Sequence, residues 1–285
     1  MIVSSRPINL ADIVGHYDEL DPFYRELWGE HVHHGLWKTP HETSEEAAAN
    51  LVELVAEQGE ISPGDRVVDI GCGYGAPARL LAKKFGAYVT AITVSRAQCH
   101  YARALDPGTN PEYLLGDWLT TEFLPESFDV AVAIESSEHI ADTREFFRRA
   151  FAVMAPGGRL VVCSWLAGEN VNGWQTRWLL EPICREGRIP HLLTAQELIT
   201  QAENAGFVSG ICQDLTDKVW RTWPIVVQRV VRRLSSNATY RAFLFDGRRR
   251  NRVFALTICR IWAAFRTGAM QYGLFRFTKG ARRGR

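Results

Sequence analysis

The sequence lacks several features that would each have pointed to a definite class of protein. Among its 285 residues, 33 Lys and Arg balance 32 Asp and Glu, and this net charge of +1 argues against a nucleic-acid-binding protein. The six cysteines include no Cys-x-x-Cys pair, and the histidines show no metal-ligand spacing. We therefore expect no disulfide framework, no zinc or other metal site, and a reducing compartment.

Long apolar runs are also missing. The amino-terminal residues have no apolar signal core, and the longest apolar stretch, residues 253–265, is interrupted by Arg260. That stretch is shorter than the roughly 20 residues needed to span a bilayer. A Gly-x-Ser-x-Gly nucleophile elbow and a Walker phosphate loop are absent as well. These absences lead us to expect a cytoplasmic protein without a membrane span.

The most informative segment is Val-Val-Asp-Ile-Gly-Cys-Gly-Tyr-Gly at residues 67–75. A β-branched run leads into three alternating glycines, and a helical apolar pattern follows at once. Strand, tight glycine turn and helix is the arrangement that lets a ligand lie against bare backbone. The dinucleotide fingerprint Gly-x-Gly-x-x-Gly needs a glycine where Ala76 stands, which argues against a nicotinamide-dependent oxidoreductase.

Strand and helix patterns alternate through the middle of the chain. Strands are predicted at 66–70, 88–92, 112–115, 128–134 and 159–164, with helical patterns between most of them. Capping boxes at Thr43–Glu46 and Thr194–Glu197 mark two helix starts. The alternation predicts an α/β fold, a Rossmann-like doubly wound and mostly parallel sheet with helices on both faces. Such a sheet binds its ligand at the carboxyl ends of its strands.

Three regions are expected along the chain. They are an N-terminal helical lid at 1–60, a ligand-binding core at 61–210, and a C-terminal substrate cap at 211–285. The strand–helix pattern fails in the insert 165–189, which we assign to the same largely helical cap. Within the lid, a helix is predicted over 9–30 with a break near Pro22, because proline removes a backbone donor and clashes in a helix interior.

Six motifs together resemble those of a known family. They are Tyr17-Asp18, His33-His34-Gly35-Leu36-Trp37, the glycine loop, Ala91-Ile92-Thr93-Val94-Ser95 with Gln98, Gly116-Asp117-Trp118, and Glu135-Ser136-Ser137-Glu138-His139. Over about residues 12–280 the chain resembles the tocopherol-methyltransferase-like branch of the class I S-adenosylmethionine-dependent methyltransferases. That branch is related to alkaloid N-methyltransferases, cyclopropane-fatty-acid synthases and bacterial natural-product methyltransferases.

The resemblance implies S-adenosyl-L-methionine as the cofactor. The residues expected to bind it are Tyr17, His34, Trp37, Asp69, Gly71, Gly73, Thr93, Val94, Gln98, Asp117, Trp118 and Glu135. The two glycines would lie against the methionine moiety, with Asp69 ordering their turn. Thr93 stands where many family members carry an acid for the ribose, and Asp117 would meet the adenine. The alternatives are a turn cap for Asp117 and a core aromatic for Trp37.

The predicted catalytic residues are Glu138 and His139. They follow the buried strand 128–134 and therefore lie at the carboxyl edge of the sheet, beside the glycine loop. Methyl transfer mainly requires positioning of the acceptor and removal of its proton, and a His/Glu pair suits a general base. The resemblance places both side chains in the acceptor pocket. In the alternative interpretation they cap the following helix and take no part in chemistry.

The acceptor is expected to be a hydrophobic small molecule. The candidate pocket wall is aromatic and consists of Trp165, Trp174, Trp178 and Trp223, with Trp220 and Phe243 as further candidates. Such a wall favours a prenylated or aromatic acceptor methylated on carbon or oxygen in a biosynthetic pathway, although core packing would also explain each ring. An amine or alkaloid-like acceptor, and a non-methylating cyclase that retains the cofactor, are the alternatives.

Basic residues cluster late in the chain. They are Arg248, Arg249, Arg250, Arg252, Lys279, Arg282, Arg283 and Arg285. Contact with an anionic membrane surface is one interpretation, a solvated tail is another, and a homo-oligomer contact is a third.

Overall fold

The computed structural model describes residues 1–246 and 250–281. The strands are β1 (Ile2–Val3), β2 (Arg66–Ile70), β3 (Tyr88–Thr93), β4 (Glu112–Leu115), β5 (Phe128–Ile134), β6 (Met154–Ala167), β7 (His191–Leu192), β8 (Phe207–Asp214) and β9 (Met270–Lys279). The α-helices are α1 (Leu10–Leu27), α2 (Ser44–Gln58), α3 (Ala76–Phe85), α4 (Arg96–Leu105), α5 (Thr143–Val153), α6 (Gly173–Gln175), α7 (Glu181–Gly187), α8 (Ala195–Asn204), α9 (Thr216–Val219), α10 (Thr222–Ser236), α11 (Ala238–Phe245) and α12 (Phe254–Arg266). A π turn (Thr176–Leu180) joins α6 to α7, and 3₁₀ turns lie at Ser137–His139 and Arg250–Val253.

Seven strands form the central sheet, in the order β4-β3-β2-β5-β6-β9-β8. The pairs from β4 to β6 are parallel, whereas β9 is antiparallel to both of its neighbours. Alternate residues of β2 point to opposite faces, so Val67 belongs to the core under α2 and α3, and Val68 to the core under α5 and α8. The predicted doubly wound α/β fold is confirmed.

The predicted core strands are present, and two are longer than expected. The strands at 66–70, 112–115 and 128–134 have the predicted bounds, and β3 continues to Thr93. The strand predicted at 159–164 is β6, which extends from Met154 to Ala167 because Met154 pairs with Phe128 of β5 and residues 159–167 pair with β9. Both predicted capping boxes form, with Thr43 and Thr194 as the N-cap residues.

The predicted break at Pro22 is wrong, because α1 passes through this proline without interruption. Tertiary packing supports the helix on both sides of it. Leu20, Tyr24 and Leu27 are buried, and the Asp18 side chain accepts a hydrogen bond from Ser95 Oγ at 2.6 Å at the start of α4. These contacts offset the loss of one helical hydrogen bond.

The predicted C-terminal cap at 211–285 is only partly a cap. Residues 270–279 form β9, which lies inside the sheet between β6 and β8. The helices of residues 215–266 and the helical insert cover the carboxyl end of the sheet, while Trp165 belongs to β6 rather than to the insert. Among the predicted basic residues, Arg248, Arg249, Arg282, Arg283 and Arg285 lie outside the described residues, as do the side chains of Arg250 and Arg252. Within the described ranges no helix combines the length and hydropathy of a membrane span.

Candidate active site

A cavity of about 300 Å³ opens at the carboxyl ends of β2, β3 and β5. It is lined by nine of the twelve residues expected to bind a cofactor: Tyr17, Gly71, Gly73, Thr93, Val94, Gln98, Asp117, Trp118 and Glu135. Leu10 and Ile13 at the start of α1, with Ile8 just before it, add an apolar part to the lining. The first part of the N-terminal region therefore lies against this cavity, as a lid would.

The glycine loop has the backbone that its sequence predicts. Gly71 and Gly73 have φ angles of +81° and +54°, a region that favours glycine. A Cβ at Gly71 would overlap the Cβ of Ser136, whereas a Cβ at Gly73 would meet nothing within 4 Å. Gly73 thus presents bare backbone to open space, which fits a ligand cradle and not merely a tight turn.

Asp69 lies beneath this loop with an unsatisfied oxygen. Its side chain is buried, and its Oδ2 has no hydrogen-bond partner among the described residues. Burial raises the pKa of this carboxyl to about 7. Asp69 faces a cleft of about 20 Å³ that it shares with both glycines, Glu30 and Val32. A buried acid with a free acceptor beside the glycine loop fits the amino group of a methionine moiety.

The wall expected to meet the ribose and adenine carries no acid after β3. Thr93 Oγ1 donates to Gln98 Oε1 at 2.8 Å, and both side chains are buried at the cavity wall. Asp117 Oδ1 accepts from the Leu119 amide at 3.0 Å, so this acid orders its own turn while also lining the cavity. Trp118 is buried, and its Nε1 donates to the Phe146 carbonyl at 3.4 Å.

Glu135 is a buried hydrogen-bond hub. Its Oε1 accepts from the His34 amide at 2.6 Å, from His34 Nδ1 at 3.0 Å and from the Tyr272 hydroxyl at 2.8 Å. Its Oε2 accepts from Trp165 Nε1 at 2.8 Å. Burial on its own would raise the pKa of Glu135, but the contacts with His34 outweigh it and lower this pKa to about 2. Its φ of +52° shows that the fold holds this residue in a strained conformation.

Two predicted cofactor residues, His34 and Trp37, lie away from the glycine-loop cavity. His34 is buried behind Glu135, where its Nε2 accepts a hydrogen bond from Trp223 Nε1 at 2.6 Å. Trp37 lies under the Arg221 guanidinium, which is 4.5 Å from its ring centroid, and it lines a different cavity. The loop after α1 turns His34 inward because Glu135 and Trp223 together satisfy its backbone amide and both ring nitrogens.

A second cavity, of about 70 Å³, lies directly beside the first. Its wall is mainly apolar and aromatic: Tyr24, Trp28, Trp165, Ile183, Ile189, Trp223, Ile258 and Ile261. It shares Tyr17, Val32, Glu135 and His139 with the larger cavity. The helical insert and α12 therefore roof an apolar space that adjoins the glycine-loop cavity.

Glu138 faces this second cavity as a buried acid. It is 6% exposed, and Ser164 Oγ donates to its Oε2 at 3.4 Å. Burial, together with the negative charge of Glu135, raises the pKa of Glu138 to about 8. At neutral pH this side chain therefore carries a proton and is a hydrogen-bond donor.

His139 lies on the wall that the two cavities share. Its Nδ1 is 3.0 Å from the Arg188 carbonyl and its Nε2 is 2.9 Å from the Tyr17 hydroxyl. Because a carbonyl can only accept, Nδ1 carries the hydrogen; burial lowers the pKa of His139, so Nε2 is the free base and accepts from Tyr17. Burial also raises the pKa of the Tyr17 phenol well above its usual value.

The four predicted pocket tryptophans divide into two pairs. Trp165 and Trp223 line the second cavity, 5.5 Å apart between ring centroids. Trp174 and Trp178 are 59% and 55% exposed and point outward, because the helical turns place Leu179, Leu180 and Ile183 inside instead. Neither further candidate, Trp220 nor Phe243, lines the cavity.

Sequence reasoning missed several residues of the second cavity. Tyr24 comes from α1 and Trp28 from the residue that caps its carboxyl end, Ile183 comes from α7, and Ile258 and Ile261 come from α12. The sequence shows Ile258 and Ile261 at helical spacing, but it does not show which part of the protein this helix face packs against. Arg188, whose carbonyl orients His139, carries no sequence signal.

The seven-stranded sheet, the glycine loop and the adjoining cavities define a Rossmann-like methyltransferase fold. A profile of the family described as mycolic acid cyclopropane synthetase matches residues 5–271, and the chain belongs to this family. Tocopherol O-methyltransferase of Arabidopsis thaliana is 28% identical over a gapped alignment of 234 positions, which covers 74% of this chain and 67% of that protein. The 2-methyl-6-phytyl-1,4-hydroquinone methyltransferase of Synechocystis is 26% identical over a gapped alignment of 292 positions, which covers 96% of this chain and 90% of that one.

Structural similarity extends over the whole chain. The solved structure of the [4+2]-cyclase SpnF covers 98% of this chain and 99% of its own, with a TM-score of 0.82 and 22% identity. At this identity the comparison supports the fold alone.

Proposed function

We propose that this protein transfers the methyl group of S-adenosyl-L-methionine to a hydrophobic small molecule, a prenylated or aromatic acceptor, on carbon or oxygen. The observation that carries the proposal is the wall common to the two cavities. Tyr17, Val32, Glu135 and His139 line both, so a ligand on the glycine loop and an acceptor under α12 would meet at this wall.

The cofactor, when bound, supplies an activated methyl group on a sulfonium. The residues of the chain position the reacting atoms and exclude water from them. In-line transfer requires the reacting atoms at roughly 3–3.5 Å in a near-attack arrangement. Gly71, Gly73 and Asp69 would hold the methionine moiety, and Thr93, Gln98 and Asp117 would line the adenosine end. The apolar lid and roof would exclude water from the reacting atoms.

Removal of the acceptor proton is assigned to Tyr17 and His139. A phenol or alcohol of the acceptor would donate its proton to the Tyr17 oxygen while the Tyr17 hydroxyl proton moves to His139 Nε2, so that one proton leaves the acceptor and one arrives on the imidazole. Glu138, protonated at neutral pH, would donate a hydrogen bond to the acceptor. In this proposal both predicted catalytic residues act in the site, His139 as the final proton acceptor and Glu138 as a hydrogen-bond donor.

The acceptor class is inferred from the second cavity and from the relatives. The cavity wall contains the indoles of Trp28, Trp165 and Trp223 with four isoleucines, which suits a flat ring or a prenyl chain. The two relatives are named for tocopherol and for a phytyl hydroquinone, both prenylated phenols. An amine or alkaloid-like acceptor is a second candidate, because the acids Glu135 and Glu138 face the same cavity.

A cyclase that retains the cofactor without transferring its methyl group is the alternative from a different class. The hydrogen bond from Tyr17 that already occupies Nε2 of His139 favours it. The intact glycine loop and the free oxygen of Asp69 favour binding of the cofactor in either case.

The first experiment is calorimetric titration of the purified protein with S-adenosylhomocysteine, followed by a crystal structure of the complex. Absence of binding would rule out both the methyltransferase and the cofactor-retaining cyclase. Methyl-labelled cofactor is then incubated with prenylated hydroquinones, simple phenols and tertiary amines. Label in the phenolic products supports the proposal, label only in the amines supports N-methylation, and binding without any transfer supports the cyclase alternative.

We further propose a cytoplasmic location, peripheral contact with a membrane and self-association. All six cysteines lie in the described part of the chain as free thiols, four of them buried, which suits a reducing compartment. Membrane contact through the basic C-terminal region and self-association remain proposals, to be tested by vesicle binding and by light scattering.

A further inference from the structure

The outer face of two adjacent helical segments carries exposed tryptophans. We call residues 173–187 and α12 the roof helices, because their inner residues Ile183, Ile258 and Ile261 line the second cavity. On the outer side, Trp174, Trp178 and Trp262 are 59%, 55% and 37% exposed. Three exposed indoles on one pair of helices are unusual, since burial of such rings normally stabilises a fold.

The two roof helices are antiparallel neighbours, so their outer sides adjoin. Gln175 Nε2 donates to the Thr267 carbonyl at 3.2 Å at one end. At the other end, Thr257 Oγ1 donates to Glu186 Oε2 at 2.6 Å. In this register Trp178 lies opposite the last turns of α12, where Trp262 is exposed. The exposed Leu256 and Cys259 continue the same outer stripe of α12.

The charge of this surface is positive. The roof helices contain four arginines and two glutamates. Both glutamates are engaged, Glu181 by Arg185 and Glu186 by Arg185 and Arg260.

The other two arginines have no acidic partner. The guanidinium of Arg177 lies 5.3 Å from the ring of Trp178, and that of Arg266 lies 5.2 Å from the ring of Trp220. Among the described residues neither forms an ion pair with a carboxylate. Indoles flanked by uncompensated arginines match the composition of an interfacial membrane-binding surface.

We infer that the outer face of the roof helices docks on an anionic lipid bilayer. The roof helices are the single helical layer between this face and the second cavity, so docking would bring the bilayer within one helix of the proposed acceptor site. The inference rests on the proposed hydrophobic acceptor, but it locates membrane contact on the roof helices rather than on the basic C-terminal region.

The test is co-sedimentation of the full chain with vesicles of phosphatidylcholine, with and without phosphatidylglycerol. We expect binding to the anionic vesicles that weakens with added salt. A Trp174→Ala/Trp178→Ala variant and an Arg177→Gln/Arg266→Gln variant should each bind at least about tenfold more weakly, since a basic residue near an anionic surface contributes on the order of a fivefold effect. Leu124→Ser is the matched control, because Leu124 is 78% exposed near the amino end of β5, away from the roof.

Titration with S-adenosylhomocysteine separates this inference from the proposed function, because all variants should retain the affinity of the wild type. Absence of vesicle binding, or binding unchanged in both double variants, would overturn the inference while leaving the enzyme proposal intact. A concentration-dependent dimer that the tryptophan variant abolishes, without vesicle binding, would assign the surface to a second copy of the chain instead.

Discussion

The hydroxyl of Tyr17 and Nε2 of His139 lie 2.9 Å apart on the wall shared by the two cavities, although 122 residues separate them in the chain. Tyr17 comes from α1 and His139 from the turn after β5. The Arg188 carbonyl, which accepts from Nδ1, leaves Nε2 as the only basic nitrogen of this imidazole. The lid helix therefore contributes directly to the proton path of the proposed reaction.

Tyr17→Phe removes this proton path while keeping the ring. We expect kcat to fall by about a hundredfold, the usual contribution of a positioned acid–base group. Affinity for S-adenosylhomocysteine should change little, because the Phe ring can keep its stacking on Tyr24, whose ring centroid is 5.6 Å away. Initial rates and calorimetry measure the two effects. Full activity in the variant would show that His139 and Tyr17 do not carry the proton.

Glu138→Gln separates a hydrogen-bond donor from a general base. Because burial and Glu135 raise the pKa of Glu138 to about 8, the wild-type side chain is neutral at pH 7 and Gln resembles it. Activity at pH 7 should stay within a few-fold of wild type, while Glu138→Ala, which removes the donor, should lose at least about tenfold. A loss of a hundredfold or more in the Gln variant at pH 7 would instead identify Glu138 as the base.

The same residue gives the stability of the protein a defined pH dependence. Its pKa rises from 4.5 in the unfolded chain to about 8, so its contribution is complete below pH 4.5 and is lost as the pH rises through 8. His16 acts in the opposite sense: burial lowers its pKa from 6.5 to about 3, so its stability contribution is present above 6.5 and is lost as the pH falls. Between pH 6.5 and 8 the Glu138 effect should dominate.

We therefore expect the free energy of unfolding to fall by roughly 2 kcal/mol over this interval, at about 1.4 kcal/mol per pH unit for one group. Urea unfolding at several pH values measures this fall, and Glu138→Gln should remove most of it. An equal fall in the variant would mean that other groups, such as Asp69, carry the dependence.

A pair of glycine substitutions distinguishes a ligand cradle from a tight turn. Gly73→Ala places a methyl group in open space, so it should cost only about 1–2 kcal/mol of backbone strain yet weaken S-adenosylhomocysteine binding at least about tenfold. Gly71→Ala would overlap Ser136 and should prevent stable folding. Thermal unfolding without ligand and calorimetry with it measure both quantities.

Gly64→Ala is the control for these substitutions. Gly64 also has a positive φ, +91°, with nothing within 4 Å of a Cβ. It lies in the turn before β2, at the amino end of this strand, whereas the glycine loop lies at its carboxyl end. It should lose similar stability and keep its ligand affinity. Unchanged affinity in Gly73→Ala would contradict the cradle.

Removal of the Trp223 indole donor tests the role of the Glu135 hub. Trp223→Phe keeps a ring in the second cavity but leaves the buried Nε2 of His34 without the donor 2.6 Å away. We expect a stability loss of about 1–3 kcal/mol, the usual cost of an unsatisfied buried polar group. Trp178→Phe, at an exposed position, should change stability by less than about 0.5 kcal/mol. Equal losses would show that the hydrogen bond to His34 contributes nothing.

Local pattern was sufficient for much of the fold. The glycine loop, the buried strands on either side of it and two capping boxes were all predictable, because each depends on residues within about ten positions. The break predicted at Pro22 was wrong because it considered only local structure. Proline costs a helix one hydrogen bond, but contacts from α1 to distant segments outweigh this cost. The position of β9 inside the sheet was equally inaccessible, since strand order depends on pairing partners far away in the sequence.

The sequence by itself determined the class of fold and the conformation of the glycine loop, because alternation, glycine spacing and β-branched runs act locally. Only the tertiary structure decided which side chains share a cavity. The packing of the helical insert leaves Trp174 and Trp178 exposed and buries Ile183. Hydrogen bonds to Glu135 and Trp223 hold His34 away from the glycine loop. The pairing of Tyr17 with His139 likewise required the lid helix to pack across the sheet edge, since side-chain proximity between distant segments is a property of packing and not of spacing.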